Sequence, residues 1–363
     1  RPSGYEGEFG PHIKTLIIGL KYGCNMSEPS IALFLTHHGV FISQSTISWY
    51  LTHNLDQFHE EKEEVTHSGL ISAPYQQLDD TSARVNGEQW VTQILCNPYY
   101  TSYHTIPHKD RLSILHLLLG PHELHFEFND ETFELLKELR QSAAIIDYLK
   151  NSCTGLVLSG TELDEILHNL PTKNKNIDTI HRRIKEAAGI TWYHNQDKWP
   201  VVQILVTDDV PQFDHLAFHH ALCWIHAGRS LKKLNPLSPV CQQMVNQKLD
   251  QFWEYYHQLL EYKECPQLIS SKALEEKFDE IFTQKTGYQA LDDRLTAIIM
   301  NKEKLLMVLK YPNIPLHNNE SERGARAQVR KRDVSLHTIT QEGTKAVDTF
   351  LSLKETRRKC GIN

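Results

Sequence analysis

The stretch Val201-Val-Gln-Ile-Leu-Val206, followed by Thr207-Asp208-Asp209, decides the fold class of this 363-residue chain. Its nearly continuous apolar and β-branched run is typical of a strand that is buried on both faces of a sheet. The two aspartates that follow directly place carboxylates at the point where this strand ends. The sequence therefore predicts an α/β protein with acidic side chains at the end of a central strand.

Upstream, residues 75–106 have the pattern of three antiparallel strands. Asp79-Asp80-Thr81 is expected to close the first strand, and Asn86-Gly87 is a strong signal for a two-residue hairpin. The aromatic and threonine content that begins at Tyr99 is typical of a further strand. The predicted strands span residues 75–78, 90–96 and 99–106, and a predicted apolar helix spans residues 110–119.

Two short amphipathic helices are predicted near the N-terminus. Ser27 and Ser43 are suitable N-caps, and His37-His38-Gly39 ends the first helix with a glycine stop signal. Two such helices joined by a tight turn match a helix-turn-helix, although any helical hairpin of a bundle has the same pattern. In a DNA-binding helix-turn-helix, the second helix presents polar side chains to base edges or phosphates. The candidates are Gln44, Ser45, Thr46 and Ser48.

Downstream of the buried strand the pattern is mostly helical. A helix is expected over residues 213–234, which would place His219, Cys223 and His226 on one face at i, i+4 and i+7. Three such ligands could hold Zn²⁺, but no fourth ligand is evident, and the sequence favours a structural role for this helix after Asp208. Further helices are expected over residues 121–198, over residues 241–309 and from residue 318 onward.

Charge and composition limit the possible partners. With 38 Lys and Arg against 45 Asp and Glu, the net charge is −7, so a nucleic acid must be met by a local basic patch. No apolar run reaches the roughly 18 residues that span a membrane, and seven scattered cysteines favour reduced thiols in a cytoplasmic protein. The first residue is not Met, which predicts a start inside a longer product. A basic stripe, either a solvated helix face or a phosphate-binding surface, comprises Arg323, Arg326, Arg330, Lys331 and Arg332.

Acidic residues follow or begin three of the predicted elements, far apart in the chain. Convergent carboxylates need cations, and Mg²⁺ or Mn²⁺ suits oxygen ligands. Two such ions can stabilise both the attacking and the leaving oxygen of an in-line displacement. The alternatives are ordinary turns at the aspartate pairs and a helix capping box from Asn319 to Glu322. The three groups are Asp79 with Asp80, Asp208 with Asp209, and Glu320 with Glu322.

Four motifs resemble those of bacterial insertion-sequence transposases of the sixty-six family, in the family's order along the chain. Leu316-His-Asn-Asn-Glu-Ser-Glu-Arg-Gly-Ala-Arg326 is similar to the Asp-Asn-Asn-x-x-Glu-Arg-x-x-Arg signature, with a histidine in place of the first acid. Ala221-Leu-Cys-Trp-Ile-His-Ala-Gly-Arg229 resembles the family's Cys-Trp-x-His-x-x-Arg helix. Asp79-Asp80-Thr81 resembles its Asp-Glu-Thr, and Asp208-Asp209 resembles its Asp-Gly turn.

The resemblance implies a ribonuclease H-like core with a DDE triad that cleaves DNA and joins strands. Carried over by motif, Asp79, Asp208 and Glu322 are the catalytic residues and the ligands of two Mg²⁺ or Mn²⁺ ions. Asp80 and Asp209 stay open as alternatives. The implied partner is double-stranded DNA, both element ends and target, bound by a homo-oligomer in the bacterial cytoplasm. The alternatives are a non-catalytic DNA-binding protein and a nuclease of the same fold that cuts without joining.

The predicted domain organisation is discontinuous. An all-α helix-turn-helix domain precedes a ribonuclease H-like mixed-sheet core, which two helical insertions interrupt. The expected boundaries are 1–72 for the first domain, 73–119, 200–230 and 312–363 for the core, and 120–199 and 231–311 for the insertions.

Overall fold

The computed structural model describes residues 8–171, 176–266 and 270–362. The chain forms two compact units. One strand, Tyr75–Val85, contributes residues to both of them. The first unit comprises Arg1–Ala73, Asp79–Val201 and Glu320–Asn363, and the second comprises Pro74–Leu78 and Val202–Asn319.

The two predicted N-terminal helices and their caps are confirmed. The Ser27 hydroxyl accepts a hydrogen bond from the backbone N–H of Ser30 at 3.3 Å, and Ser43 does the same for Thr46 at 3.0 Å. Gly39 has a φ of +80°, a left-handed conformation that glycine adopts without strain. The helix-turn-helix assignment stays a prediction. The helices are α1 (Pro11–Ile18), α2 (Glu28–His37), α3 (Gln44–Thr52) and α4 (Asp56–Ile71), with a π-helical turn at Gly19–Gly23.

The predicted hairpin is confirmed. Strands β1 (Tyr75–Val85) and β2 (Glu88–Cys96) are joined by Asn86 and Gly87, whose φ values of 50° and 82° suit a type I′ turn. The third predicted strand is β3 (Thr101–Ile106), antiparallel to β2.

Asp79 and Asp80 lie inside β1, which corrects the prediction that they close it. Beyond them, Ala83 and Val85 are buried while Arg84 is exposed, the alternation of a strand with one buried face. This apolar alternation continues the strand as far as the hairpin turn. The aspartates therefore occupy the middle of a strand, where the sequence suggested a turn.

The segment predicted as the first helical insertion is mainly helical. The apolar helix before it is α5 (Arg111–Leu118), whose N-cap Asp110 accepts a hydrogen bond from the Ser113 N–H at 2.8 Å. A short antiparallel ribbon of β4 (Phe126–Glu127) and β5 (Val157–Leu158) accompanies the helices of the insertion. These helices are α6 (Asp130–Glu138), α7 (Ala143–Cys153), α8 (Gly160–His168) and α9 (Ile177–Asn195).

A mixed five-stranded sheet confirms the α/β class. The predicted buried strand is β6 (Ile204–Thr207), all of whose residues are buried, and its neighbour is β7 (His219–Leu222). The strand order is β3-β2-β1-β6-β7, and β6 runs parallel to both β1 and β7. A ribonuclease H-like topology stays a prediction. The register of β1 and β6 is Tyr75↔Ile204, Gln76↔Leu205 and Gln77↔Val206.

The helix predicted over residues 213–234 is wrong in its first half. Strand β7 comes first, and a shorter helix, α10 (Trp224–Lys232), follows it. The strand forms because its residues pair along β6, a tertiary contact that helical periodicity cannot reveal. His219 lies on the strand, Cys223 precedes the helix and His226 lies on it, so the predicted common face for a zinc site does not exist.

Aromatic side chains form much of the core of the second unit. Trp224 is fully buried, packs against Phe252 and Tyr255, and donates its indole N–H to the Leu305 carbonyl at 2.8 Å. Across the described residues, no helix is both long and apolar enough to cross a membrane. The other helices of this unit are α11 (Pro239–Glu264), α12 (Ser271–Phe282), α13 (Gln289–Met300), α14 (Lys302–Leu305) and α15 (Met307–Lys310).

Two long helices, α16 (Asn319–Ser335) and α17 (Gln341–Lys359), end the chain. Three side chains one turn apart on α17 accept hydrogen bonds from alternate backbone N–H groups of the edge strand β3. They cover donors that an uncovered sheet edge would leave unpaired. The pairs are Thr101 N with Thr356 Oγ1 at 3.1 Å, Tyr103 N with Ser352 Oγ at 2.9 Å, and Thr105 N with Asp348 Oδ2 at 2.6 Å.

Candidate active site

The two aspartates of β1 have different surroundings. As neighbours on a strand, they point to opposite faces of the sheet. Asp80 forms an ion pair with Lys109 at 2.7 Å. Asp79 is half-buried and accepts a hydrogen bond from the backbone N–H of Asp80 at 2.8 Å. Asp80 thus has a cationic partner, and the choice between Asp79 and Asp80 as a metal ligand stays a prediction.

The carboxylates of Asp79 and of Glu320, the latter at the start of α16, both raise the pKa of the same buried thiol, that of Cys96. Burial raises the pKa of Cys96, at the end of β2, to about 12. The Lys359 ammonium opposes this shift, while the carboxylates of Glu320 and Asp79 add to it. The charges of Asp79 and Glu320 therefore act in the same direction on the pKa of this thiol.

Gly324 seats α16 closely on the sheet. A Cβ atom at this position would lie 2.6 Å from Ile94 Cγ2. The carbonyl of Gly324 also accepts a hydrogen bond from the Tyr103 hydroxyl at 3.0 Å. Only a residue without a Cβ allows this approach. The first turns of α16, which carry Glu322, are thereby fixed on the sheet.

The acids at the start of α16 pair with basic residues. Glu322 is mostly buried and pairs with Arg326 at 3.4 Å. Glu320 pairs with Arg323 at 3.0 Å and with Lys359 at 3.4 Å. The N-terminal end of a helix also favours negative charge. Both carboxylates thus lie beside cations in the first turn of the helix.

A buried asparagine begins a hydrogen-bond chain among the segments that lead into the predicted acids. Asn318 is fully buried, and its side-chain amide donates to the carbonyl of Leu78 at 3.0 Å, directly before Asp79. The backbone N–H of Asn318 donates to Cys223 Sγ at 3.3 Å. The backbone N–H of Cys223 in turn donates to the Thr207 carbonyl at 2.9 Å.

The chain of hydrogen bonds through Asn318 and Cys223 connects all three segments. Thr207 directly precedes Asp208, and Asn318 stands four residues before Glu322. Every bond in the chain forms within the second unit. The fold therefore links the backbone before each predicted acid. In this chain Cys223 Sγ accepts a hydrogen bond from the backbone of Asn318, which is a structural role.

A polar chain behind β6 fixes the backbone of Asp208. The Thr207 hydroxyl donates to the Asp208 carbonyl at 2.7 Å and lies 2.7 Å from His220 Nε2. His220 Nδ1 lies 3.0 Å from Asp214, which also pairs with Lys304. Burial raises the pKa of Asp214, but hydrogen bonds from His220 and Lys304 outweigh it and hold this pKa well below its usual range. The end of β6 is anchored by a carboxylate that stays ionised at neutral pH.

A cavity of about 250 Å³ lies beside Asp208 in the second unit. Its lining includes His226 and the exposed Arg294. Asp209 also lines it, is exposed, and accepts a hydrogen bond from the Asn301 amide at 2.7 Å. Asp208 is the more buried of the two aspartates, and the choice between them as a metal ligand stays a prediction.

Three members of the predicted basic stripe form an exposed face of α16. Arg323, Arg326 and Arg330 recur at i, i+3 and i+7, and all three are exposed. Arg326 leaves 68% of its side chain in solvent while it pairs with Glu322. This face therefore presents guanidinium groups next to a predicted catalytic acid.

Lys331 and Arg332 do not share this exposed face, which corrects the prediction of a five-residue stripe. Lys331 is only 4% exposed, and its ammonium donates to the Lys21 carbonyl at 2.6 Å and lies over the Tyr22 ring. Burial, and then the Lys21 charge, lower the pKa of Lys331 to about 7. Arg332 is half-buried and donates to the carbonyl of Ser82. The two side chains therefore connect α16 to the backbone at Lys21 and at Ser82.

The polar residues predicted on the recognition helix lie in the first turns of α3. Gln44 and Ser45 are exposed, whereas Thr46 and Ser48 are half-buried. The hydroxyls of Ser45 and Thr46 each lie 2.8 Å from the Ser43 hydroxyl, within the helix cap. Contact with DNA through these residues stays a prediction.

Within residues 8–171, 176–266 and 270–362, no three His, Cys, Asp or Glu side chains form a group that could hold a metal ion. This removes structural support for the zinc alternative. Among the described residues, therefore, no three carboxylates are already close enough together to hold a divalent ion.

Comparison with known proteins identifies the family. The family model described as "Transposase IS66 family" matches residues 181–346, which include Asp208 and Glu322. An uncharacterized protein of Sinorhizobium fredii, y4jO, is 33% identical over 300 residues, 82% of this chain and 91% of that protein. The chain belongs to the IS66 transposase family. No solved structure matches it.

Membership of the IS66 family confirms the resemblance that the four motifs indicated. A transposase family implies an enzyme of the nucleic-acid-processing kind whose partner is DNA. The matched segment contains the buried strand β6, the hydrogen-bonded Cys223 and Asn318, and all of α16. Asp79 and the N-terminal helices lie before it.

The structure adds residues that the sequence did not single out. Asn318 stood within a recognised motif, yet its role as a buried connector needed the fold. His220 and Asp214 carried no signal, because their contact depends on the strand β7. On α17, Lys354 and Arg358 stand at i and i+4, a spacing that places two cations on one helix face.

Proposed function

We propose that this IS66-family member is a DDE-type DNA transposase with a ribonuclease H-like core, in which Asp79, Asp208 and Glu322 are the catalytic acids. The observation that carries the proposal is the hydrogen-bond chain through Asn318 and Cys223, which joins the segments leading into all three. The strand register agrees with it. Residues of β1 pair with residues 129 positions later in β6, and Asp208 lies 129 positions after Asp79.

The three carboxylates would hold two Mg²⁺ or Mn²⁺ ions. Carboxylate oxygens are the ligands that these ions prefer, and Mg²⁺ is usually held by one or two carboxylates together with substrate phosphates. The donor chemistry therefore fits, and a site completed by DNA needs no preassembled set of three protein ligands. When bound, the ions supply Lewis-acid stabilisation of the attacking and leaving oxygens of an in-line displacement.

The proposed reaction consists of two displacements at phosphorus. In the first, water attacks a phosphate at the element end, the P–O3′ bond breaks, and a 3′ hydroxyl is released. In the second, this hydroxyl loses its proton and attacks a phosphate of the target DNA. A new phosphodiester forms as the target P–O3′ bond breaks, and the displaced 3′ oxygen takes up a proton.

The residues of this chain position the acids and the DNA. The polar chain through Thr207 fixes the backbone of Asp208, and Gly324 fixes the helix turn that carries Glu322. The exposed guanidinium groups of α16 would hold phosphates, because guanidinium binds phosphate oxygens through two parallel hydrogen bonds. The phosphate-binding arginines are Arg323, Arg326 and Arg330.

Recognition of the element ends is assigned to α2 and α3. Their capped helices and the glycine turn between them support a helix-turn-helix, with Gln44, Ser45, Thr46 and Ser48 facing the DNA. The two ends of an element must be handled together, so we propose a homo-oligomer assembled on DNA.

A strand-transfer assay with the inverted repeats that flank the coding region tests the proposal. The wild type is expected to cut and join DNA in Mg²⁺, whereas Asp208→Ala and Glu322→Ala lose both activities. Asp209→Ala is the matched control and is expected to stay active. Cutting without joining would support a nuclease instead. Binding that responds to Mg²⁺ only through salt screening, without cleavage, would support a non-catalytic DNA-binding protein.

A further inference from the structure

A groove between α16 and α17 is lined mainly by cations. Its volume is about 340 Å³, and both walls belong to the first unit. One wall carries the three exposed arginines of α16, and the other carries a lysine and an arginine one turn apart on α17. The charged residues that line the groove are Arg323, Arg326, Arg330, Lys354, Arg358 and Glu355.

The buried carboxylate of Glu355 pairs with both cations of the α17 wall, Lys354 and Arg358. Its side chain is only 8% exposed, and it pairs with Arg358 at 2.7 Å and with Lys354 at 3.6 Å. A guanidinium has five donors, so Arg358 can hold Glu355 and still offer hydrogen bonds outward. Arg358 leaves 61% of its side chain in solvent. A buried acid therefore orients an exposed guanidinium toward the groove.

The groove begins beside the proposed catalytic acid Glu322. Arg326 pairs with Glu322 and also lines the groove, so one side chain belongs to both places. The lining holds five cations and one acid, whereas the whole chain has a net charge of −7. Such a local positive surface on an acidic protein attracts a polyanion to this face.

We propose that this groove binds the phosphodiester backbone of DNA, and that Lys354 and Arg358 form its second wall. The inference rests on the proposed function, and it adds a sequence-independent contact that holds the strand beside the acids. Contacts to phosphates position DNA without reading its bases. The groove therefore differs from the helix-turn-helix assigned to end recognition, which selects a sequence.

Fluorescence anisotropy with labelled duplexes tests the groove. One duplex carries an element end, and the other has an unrelated sequence. The variant Lys354→Gln/Arg358→Gln is compared with Arg357→Gln, an exposed arginine on the same helix that does not line the groove. A third variant adds Glu355→Gln to the double substitution, because this removes the buried charge that the double variant leaves unpaired. Thermal unfolding monitors the fold of each.

Two lost phosphate contacts are expected to lower the slope of log affinity against log salt by roughly 2, equally for both duplexes. Arg357→Gln is expected to keep the wild-type slope. A wild-type slope in folded groove variants would overturn the inference, and so would a loss confined to the element-end duplex.

Asp208→Asn separates the groove from the proposed chemistry. It is expected to bind both duplexes with the wild-type salt slope while losing cleavage. Full cleavage by Asp208→Asn would contradict the catalytic proposal and leave the groove result standing. A normal slope for the groove variants would contradict only the groove.

Discussion

Asp208 and Glu322 are held in place by different means. The strand end before Asp208 is fixed by Thr207 and His220, partners that come together only in the fold. Glu322 lies on a helix, and its partner Arg326 is one turn away in the chain. Contacts of the second kind follow from helical spacing, whereas contacts of the first kind depend on tertiary structure. The proposed function gives the two acids one chemical role, whereas their different contacts predict different responses to changes around them.

The largest effect is expected on DNA cleavage when either of the two carboxylates is removed, because the proposed function gives them the same role. Asp208→Asn and Glu322→Gln each remove a carboxylate that would hold divalent ions. Loss of several kcal/mol of transition-state stabilisation predicts that DNA cleavage falls by about 10³-fold in either variant. Single-turnover cleavage of an element-end duplex measures this. Loss in one variant alone would break the equivalence of the two acids.

The packing of the helix turn that carries Glu322 can be changed while its carboxylate is kept. In Gly324→Ala the added Cβ would meet Ile94 Cγ2 at 2.6 Å, so α16 must shift. Overpacking of this kind predicts a free energy of unfolding lower by about 3 kcal/mol and weaker cleavage. Gly19→Ala is the control, because nothing lies within 4 Å of its Cβ position. Urea unfolding of both variants checks the difference, and equal stabilities would show that α16 is not seated by Gly324.

The support of Asp208 is expected to matter more than the partner of Glu322. Asp214→Asn weakens hydrogen bonds from His220 and Lys304, which predicts a loss of about 2 kcal/mol in the free energy of unfolding. Arg326→Ala removes an exposed ion pair, which predicts a change below about 0.5 kcal/mol. Thermal and urea unfolding compare the two variants. Equal losses would contradict the distinction between tertiary and local support.

A pH dependence distinguishes the buried Lys331 from its exposed neighbours on α16. Its pKa is lowered to about 7, so between that pH and its ordinary value near 10.5 the unfolded chain binds a proton that the folded chain has released. The free energy of unfolding therefore rises with pH in this window. Relative to Lys331→Met, the wild type is expected to gain stability from about pH 7 to about pH 10. Parallel pH profiles would contradict a buried, readily deprotonated Lys331.

Much of the fold followed from local signals in the sequence. The caps Ser27 and Ser43, the turn Asn86-Gly87 and the apolar strand before Asp208 were predicted correctly, because each depends on neighbouring residues. The strand containing His219 was missed, because its four residues pair along β6 in a contact that no local pattern encodes.

The sequence predicted which residue types form the site, but it did not predict the tertiary contacts that hold them in place. The acids and the exposed arginines follow from motifs and helical spacing. The connector Asn318, the anchor Asp214 and the buried position of Lys331 depend on residues 90 to 310 positions away. Such contacts arise only when distant segments pack, so one sequence cannot reveal them.

Binding of Mn²⁺ to the protein–DNA complex tests the central claim most directly. Electron paramagnetic resonance titration of the complex with an element-end duplex would compare Asp79→Asn, Asp208→Asn and Glu322→Gln with Asp80→Asn, whose native carboxylate pairs with Lys109. Each of the first three is expected to weaken Mn²⁺ binding by at least about 10-fold, and Asp80→Asn is expected to bind like the wild type. Wild-type binding by any of the first three, or a loss confined to Asp80→Asn, would contradict the account.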